Sequence, residues 1–290
     1  MKKRGLIVAC SGGKHLAKTI ARKANMHYEQ DIIERFPDSE TKIKIPNVKN
    51  KDVYFVQSFY KDKIRDINDR LIEVLLSIKT AKELKARKIY LIAPYLAYLR
   101  EDIRFRKGEA VSAKVIADLL KNLKKVYVVE PHLHRFKSFK QFFPNAQKVS
   151  IAKEIAKYIK KNIKNPSLVG PDIESEQWVK AVAKELGIKY TILLKQRFNS
   201  RKVKVHGEKT KAQNVVIIDD IISTGHTLIE ASKLVNAKKI YFIGVHPVFS
   251  ENAVKKLNKF GKVVVSNTIP TKQSKLDCTT AIAEIIKGRK

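Results

Sequence analysis

Short apolar runs rich in branched side chains alternate with helical patterns along the chain, and this alternation limits the fold more than any other feature. The runs of the first half are four or five residues long, as buried parallel strands are, and lie at residues 6–10, 53–57, 89–93 and 126–129. Between them, apolar residues at three- and four-residue spacing predict helices over residues 15–24, 67–84 and 111–123. The first half therefore predicts a parallel sheet whose strands are joined by helices.

The same alternation restarts after residue 150. Strands are predicted at residues 168–169, 190–194, 215–218, 240–245 and 263–266. Helices are predicted over residues 151–163, 174–186, 227–235, 251–260 and 279–286. Because strand–helix–strand repetition favours parallel sheets with right-handed crossovers, we expect an α/β fold. It has two tandem domains, residues 1–145 and 146–290, each with a mainly parallel sheet flanked by helices.

Charge and cysteine content narrow the classes of function. The 290 residues contain 60 Lys and Arg against 28 Asp and Glu, a formal net charge of +32. This charge suits nucleic acid, anionic lipid or small phosphorylated substrates, but a solvated surface rich in ion pairs gives the same composition. The two cysteines, Cys10 and Cys278, are too few for a disulfide framework or a four-ligand zinc site. Because no apolar run reaches the ~18 residues of a membrane span and no signal peptide is seen, we expect a cytoplasmic protein without membrane contact.

The segment at residues 215–227 carries the strongest functional pattern. Four apolar residues lead into Asp219 and Asp220, and a small turn then opens a predicted helix. Successive backbone N–H groups in such a turn form an anion cradle. Because paired carboxylates would repel a bare phosphate, we expect them to accept hydrogen bonds from sugar hydroxyls, directly or through a metal. The alternative is a plain strand end before a capped helix. The cradle residues are Ser223, Thr224, Gly225, His226 and Thr227.

Residues 219–227 resemble the phosphoribosyl-diphosphate loop of type I phosphoribosyltransferase folds. Other segments resemble, in the same order, those of one family with that fold, the ribose-phosphate diphosphokinases (PRPP synthetases), in an archaeal-like form. These segments lie at residues 36–40, 94–102, 108–114, 130–132 and 195–197. The resemblance covers nearly the whole chain, and the joint match of the five segments with the loop is specific.

The resemblance implies transfer of the diphosphoryl group of Mg-ATP to the C1 hydroxyl of ribose 5-phosphate, which gives 5-phosphoribosyl 1-diphosphate and AMP. Lys195 and Arg197 are the implied catalytic residues, and Arg197 also contacts ribose 5-phosphate together with the two adjoining acids and the cradle residues. The implied ATP-binding residues are Phe36, Asp38, Ser39, Glu40, Arg100, Glu101 and Asp102. The implied ligands of Mg²⁺ are His132, Asp172 and Glu130.

Elementary chemistry supports the catalytic pair independently. Diphosphoryl transfer spreads negative charge over the phosphate oxygens, so catalysis is mostly positioning and cationic stabilisation. Lys195 supplies a point charge and Arg197 a planar fork, on a basic segment, residues 195–210, that is too long for an ordinary connection. Such a segment favours a lid that excludes water. The resemblance also implies a dimer-based homo-oligomer, with a tetramer or hexamer as possible sizes, in which a neighbouring subunit contributes the Phe36 segment.

Several positions depart from the family pattern. Ser39 replaces a glycine, Glu101 a glutamine and Glu130 an aspartate, and the turn has Ser223 where Asp is common and His226 where Gly or Ala is usual. These departures bear on metal contacts and nucleotide preference more than on activity.

Two other classes of function stay open from the sequence. One is a catalytically silent relative that acts as a regulatory subunit or binds nucleic acid, and the other is a base phosphoribosyltransferase. The retained cations and loop disfavour the first class, and the ATP-side segments disfavour the second. Nucleic acid is therefore not an expected partner.

Overall fold

The computed structural model describes residues 5–132, 135, 138–194, 204–206 and 211–288. The chain divides into two compact units. The first unit is Met1–Ser150 with Cys278–Lys290, and the second unit is Ile151–Asp277. The predicted catalytic residues Lys195 and Arg197 lie outside the described residues.

The first unit is built on a parallel sheet with an added hairpin. Its strands are β1 (Gly5–Ala9), β2 (His27–Gln30), β3 (Ile32–Arg35), β4 (Thr41–Lys44), β5 (Asp52–Val56), β6 (Lys88–Ala93), β7 (Lys125–Val129) and β8 (Ala146–Val149). Its helices are α1 (Lys14–Ala24), α2 (Ile67–Glu83), α3 (Ser112–Leu120), α4 (Phe139–Phe142) and, from the end of the chain, α9 (Thr279–Ile286). The sheet order is β2-β1-β5-β6-β7-β8, and in the described part of the chain β3 and β4 pair only with each other, antiparallel. The sheet centre is apolar, with Ile7, Phe55 and Leu91 fully buried, as strands covered on both faces require.

The second unit is built on a longer sheet. Its strands are β9 (Pro166–Gly170), β10 (Tyr190–Leu194), β11 (Lys204–His206), β12 (Lys211–Ile222), β13 (Asn236–Pro247), β14 (Lys262–Ser266) and β15 (Ser274–Leu276). Its helices are α5 (Ala152–Asn162), α6 (Glu176–Leu186), α7 (His226–Lys233) and α8 (Ala253–Leu257). The order is β11-β10-β9-β12-β13-β14-β15, and every described neighbouring pair is parallel except β10 with β11. Val215, Ile217, Phe242 and Leu257 form part of one core cluster between this sheet and its helices.

Apart from the added strand β11, the two sheets share one strand order. In the first unit β1 lies between β2 and β5, and in the second unit β9 lies between β10 and β12. Each strand order therefore changes direction at one point, between β1 and β5 or between β9 and β12. Ligands of open parallel sheets bind at the carboxyl ends of the strands beside such a switch point. Each unit thus has one place where the fold favours a site.

The predicted class, two α/β domains with mainly parallel sheets, is confirmed. Strand β12 is longer than predicted, Lys211–Ile222 rather than residues 215–218, so Asp219 and Asp220 lie within the strand rather than after it. The strand continues because β13 pairs with it as far as Ile222. The sequence pattern missed short strands with little apolar content, such as β2 and β4, because strand pairing rather than hydrophobic periodicity stabilises them.

The division of the chain differs from the predicted boundary at residues 145/146. The connection falls at residue 150, and α9 packs on α1 of the first unit instead of joining the second. Lys23 Nζ donates hydrogen bonds to the hydroxyls of Thr279 (3.0 Å) and Thr280 (2.6 Å) of α9. None of the helices in the described part of the chain has the length and apolar character that a bilayer crossing requires.

Candidate active site

The carboxyl end of β12 leads directly into the turn that the sequence singled out. Val215 to Ile218 are fully buried, Asp219 is half-buried and Asp220 is 2% exposed. The strand ends at Ile222, and α7 begins at His226. Gly225 precedes the helix with a φ of +77°, a left-handed conformation that L side chains rarely adopt. The turn therefore needs glycine at this position.

The turn presents backbone donors at the start of α7. The first N–H groups of a helix have no acceptor within the helix, and the helix dipole favours an anion there. The hydroxyls of Ser223 and Ser250 lie 3.1 Å apart, and the Ser250 N–H donates to the Ser223 carbonyl (3.1 Å). The His226 N–H contacts Thr224 Oγ1 at 3.3 Å, and the side chains of His226 and Thr227 are exposed. The predicted cradle residues are thus brought together, with hydroxyls beside the amides.

Three carboxylates lie at the β9–β12 switch point. Strand pairing brings Ile217 beside Val169, so Asp219 and Asp220 of β12 lie near Asp172, which follows β9. Burial raises the pKa of Asp219 well above its ordinary value, and the charges of Asp220 and Asp172 raise it further. Burial also raises the pKa of Asp172, despite the hydrogen bond it accepts from the Ser175 N–H (3.1 Å). Such a cluster favours groups that relieve its negative charge, either hydrogen-bond donors or a cation.

The predicted ATP-side residues fall on two segments of the first unit. Phe36 is 47% exposed in the β3–β4 turn, and its N–H donates to the Glu40 carbonyl (2.9 Å). Asp38 Oδ1 accepts from the Glu40 N–H (3.1 Å). Ser39 has a φ of +77°, a left-handed backbone conformation that glycine adopts more readily than serine. All five residues from Phe36 to Glu40 are exposed.

The second ATP-side segment follows β6. Arg100 and Glu101 are exposed, whereas Asp102 is 2% exposed. Asp102 Oδ1 accepts a charge-assisted hydrogen bond from Arg135 Nη1 at 2.7 Å. The Arg135 guanidinium also lies 5.0 Å from the centre of the Phe105 ring. Sequence reasoning did not identify Arg135, because nothing local to the chain connects it with Asp102.

The predicted metal-binding residues Glu130 and His132 follow β7. Glu130 is 3% exposed, forms an ion pair with Lys148 (2.6 Å) and accepts a hydrogen bond from the Ser150 hydroxyl (2.7 Å). His132 is half-buried. Among the described residues, no three His, Cys, Asp or Glu side chains are arranged as ligands of one metal ion. Because Glu130 already forms an ion pair with Lys148, that ion pair would have to break before Glu130 could bind a metal cation.

The corresponding switch point of the first unit, between β1 and β5, is filled by the unit's own side chains. The Gly12 N–H donates to Gln57 Oε1 (2.6 Å), and Arg70, which is fully buried, donates from Nη1 to the Ser11 hydroxyl (2.7 Å). Ser11 in turn donates to Glu73. Sequence reasoning missed Arg70, and the only signal was a set of polar residues at positions 70, 73 and 77, which lie at helical spacing along α2. The open sugar-phosphate site is therefore expected in the second unit alone.

The strand order and the acid-lined turn at the switch point define a protein of the phosphoribosyltransferase class. Comparison with protein families agrees: residues 6–123 match the N-terminal domain of ribose phosphate pyrophosphokinase, and residues 139–279 match the phosphoribosyl transferase domain. The chain belongs to the ribose-phosphate pyrophosphokinase family, the diphosphokinases that the sequence motifs resemble.

Individual relatives cover most of the chain. The ribose-phosphate pyrophosphokinase of Sulfolobus acidocaldarius is 35% identical over 266 residues, which are 87% of this chain and 89% of the relative. That of Pyrococcus furiosus is 33% identical over 289 residues, 97% of this chain and 100% of the relative. The crystal structure of phosphoribosylpyrophosphate synthetase from Mycobacterium smegmatis has a TM-score of 0.87 and 25% identity, and 99% of each chain is covered.

Proposed function

We propose that the protein transfers the diphosphoryl group of ATP to the C1 hydroxyl of ribose 5-phosphate, which gives 5-phosphoribosyl 1-diphosphate and AMP. The observation that carries this proposal is the Gly225 turn, placed beside three carboxylates at the β9–β12 switch point. The names of the relatives, ribose-phosphate pyrophosphokinases, support it.

Ribose 5-phosphate fits the second unit by charge and by hydrogen bonding. The amides and hydroxyls from Ser223 to Thr227 donate to the phosphate, and Asp219 and Asp220 accept hydrogen bonds from the ring hydroxyls. Burial and the charges of Asp220 and Asp172 raise the pKa of Asp219, and hydrogen bonds from sugar hydroxyls would stabilise its charged form. One turn thereby fixes both ends of the pentose and orients its C1 hydroxyl as the nucleophile.

ATP is assigned to the first unit. The exposed Phe36 ring is available to stack on the adenine, and Asp38, Glu40 and Arg100 are exposed for polar contacts. An aromatic ring exposed at a hairpin tip also fits a residue that serves a neighbouring subunit. We therefore propose a dimer-based homo-oligomer.

Lys195 and Arg197 are proposed to stabilise the charge that develops on the transferred group. Their assignment rests on the sequence motif and on the affinity of ammonium and guanidinium groups for phosphate oxygens. Cys10 and Cys278 are buried, and neither forms a disulfide in the described part of the chain. This state suits a reducing compartment, so we assign the reaction to the cytoplasm.

Mg²⁺ is the proposed cofactor, because ATP is used as its magnesium complex. Asp172 fits such an ion, because its pKa is raised by burial and by the neighbouring charges of Glu174 and Asp220, which a cation would offset. His132 at the end of β7 is the proposed ligand on the ATP side, and Glu130 assists it only after exchange of Lys148. The bound ion would neutralise phosphate charge.

The test is a coupled assay for AMP with purified protein. We expect AMP formation that requires both ATP and ribose 5-phosphate, and we expect Lys195→Ala to lose most of it. Calorimetry of ribose 5-phosphate binding runs alongside. Binding without turnover would support the silent regulatory subunit instead, and the absence of both would refute the assignment of the site.

A further inference from the structure

We propose that the first turn of α2, residues 66–70, positions both of the ATP-side segments of the first unit. These segments are the hairpin turn at residues 36–40 and the segment at residues 98–102. This inference rests on the proposed function, and it adds Arg35, Asn68, Asp69 and Tyr98 as positioning residues for nucleotide binding.

The first turn of α2 is rigid because two side chains cap it reciprocally. Asp66 Oδ1 accepts from the backbone N–H of Asn68 (2.7 Å) and of Asp69 (2.9 Å). Asp69 Oδ2 accepts from the Asp66 N–H (2.8 Å), which completes a capping box. Such reciprocal caps stabilise the start of a helix. The side chains of Asn68 and Asp69 therefore extend from a rigid stretch of backbone.

Asp69 holds the base of the hairpin turn. Arg35, the residue directly before Phe36, forms an ion pair with the same Asp69 oxygen at 2.6 Å. Their side chains are 30% and 27% exposed, so the pair is partly shielded from solvent. The hairpin lies outside the parallel sheet, and among the elements described its β4 strand packs against α2. The direction of the Phe36 turn thus depends on α2.

Asn68 holds the other segment. The Tyr98 hydroxyl donates a hydrogen bond to Asn68 Oδ1. Beyond Tyr98, the Glu101 carbonyl accepts from the Ala113 N–H (3.2 Å), and the Tyr98 carbonyl accepts from the Ser112 hydroxyl (2.9 Å). The segment that carries Arg100 and Glu101 is therefore attached to α2 through Tyr98, and to the start of α3 through Tyr98 and Glu101.

Arg70 connects the first turn of α2 to the protein core. Its buried guanidinium donates to the Tyr60 carbonyl (2.6 Å) and to the Ser11 hydroxyl (2.7 Å), and it forms an ion pair with Asp62. A fully buried arginine with these partners fixes the position of the turn against β1 and β5. Adjacent residues of one anchored turn, 68 and 69, thus set the placement of both segments.

The experiment compares Arg35→Gln, Tyr98→Phe and their combination with the matched control Glu34→Gln. Glu34 is in the same hairpin and pairs with Lys42 at 2.9 Å, and both side chains are more than half exposed. The readouts are calorimetric binding of a non-hydrolysable ATP analogue without ribose 5-phosphate, and the KM for each substrate.

We expect Arg35→Gln and Tyr98→Phe each to weaken analogue binding and to raise the KM for ATP about fivefold to tenfold, equivalent to about 1 kcal/mol. The KM for ribose 5-phosphate should change less than about twofold. Arg35→Lys should recover most of the loss, and Glu34→Gln should resemble the wild type. A purely structural role would lower the melting temperature without separating the two KM values.

The proposal is overturned if Arg35→Gln behaves like Glu34→Gln, or if both KM values rise together. If the wild type binds the analogue but forms no AMP, the proposed function is wrong. The positioning role is then tested by analogue binding to the same set of variants. A wild type that binds no nucleotide overturns both.

Discussion

Two glycines of the second unit adopt the same left-handed backbone conformation in different surroundings. Gly225 has a φ of +77° and opens α7, and a Cβ there would lie 3.0 Å from the Leu257 side chain. Gly187 has a φ of +68° and ends α6, and nothing lies within 4 Å of its Cβ position. A substitution at Gly187 therefore measures the effect of backbone strain alone. A substitution at Gly225 also measures the effect on the candidate site.

We predict that Gly225→Ala raises the KM for ribose 5-phosphate about tenfold, because the turn must shift to relieve a strain of about 1–2 kcal/mol and the contact with Leu257. Gly187→Ala should lose similar stability, about 1–2 kcal/mol, and leave that KM within about twofold. Steady-state kinetics and thermal melts of both variants measure the two effects. Equal KM values for the two variants would contradict the assignment of the turn to the phosphate.

At the scale of single elements, α2 is unusual because it turns polar side chains inward. Arg70, Glu73 and Ser77 are at most 1% exposed, whereas Ile72 and Leu76 are 48% and 40% exposed. Inside, Glu73 accepts from Gln57 Nε2 (2.9 Å), and the Ser77 hydroxyl donates to Asp31 Oδ2 (2.9 Å). Hydrogen bonds to charged groups therefore attach this helix to the sheet where apolar packing would usually do so.

Asp31 makes this attachment dependent on pH. Burial raises its pKa to about 6, although hydrogen bonds from Ser77 and Cys10 oppose the shift. The folded state thus retains a proton that the unfolded chain releases near pH 4. The stability that this proton contributes is fully present below about pH 4. It is lost as the pH rises through 6, by at most about 3 kcal/mol.

We predict that Asp31→Asn removes this loss. The variant should unfold at a higher denaturant concentration than the wild type at pH 8, and the two should differ little at pH 4. Asp118→Asn is the control, because its side chain is 75% exposed. Denaturant titrations at both pH values give the comparison, and an Asp31→Asn effect of equal size at pH 4 and pH 8 would refute the titration of Asp31.

At the scale of the whole chain, the net charge of +32 is unevenly distributed. Exposed lysines collect near the amino ends of the strands of the second sheet, and within the described structure they have no ion-pair partner. They are Lys160, Lys161, Lys164, Lys189, Lys238, Lys239, Lys259 and Lys262. The acids Asp172, Asp219 and Asp220 lie at the opposite, carboxyl ends of the strands. The lysines at the amino ends of the strands therefore repel one another, and added salt should screen that repulsion.

We predict that the triple variant Lys238→Gln, Lys239→Gln, Lys262→Gln melts a few degrees higher than the wild type at low salt and gains less from added NaCl. The matched control changes three lysines that have acidic partners: Lys79 with Glu83, Lys121 with Asp118 and Lys233 with Glu230. This control should melt at the same temperature as the wild type or lower. If the triple variant at positions 238, 239 and 262 melts below the wild type at low salt, the predicted repulsion between these lysines is refuted.

The predictable parts of the molecule are those encoded locally. Apolar runs such as residues 89–93 and 215–218 predicted the buried strands, because a strand covered on both faces needs apolar side chains throughout. The turn from Ser223 to Thr227 was identifiable because its backbone donors are consecutive in the chain. The roles of Lys195, Arg197 and the metal ligands remain predictions.

The parts that were not predictable depend on distant partners. The burial of Arg70 requires Ser11 and Tyr60, and the ion pair of Asp102 requires Arg135, so neither has a signature at its own position. The docking of α9 on α1 joins residues more than 250 positions apart. Periodicity describes which face of an element is apolar, but not which element will cover it.

The amino-acid sequence by itself determined the strand–helix alternation, the glycine-containing turn and the pair of acids before it, because each is a property of neighbouring residues. Only the tertiary structure decided that the first unit fills its own switch point, that one turn of α2 holds two segments, and that scattered lysines share one sheet edge. These are consequences of parallel strand pairing, which aligns residues far apart in the chain at the same end of a sheet.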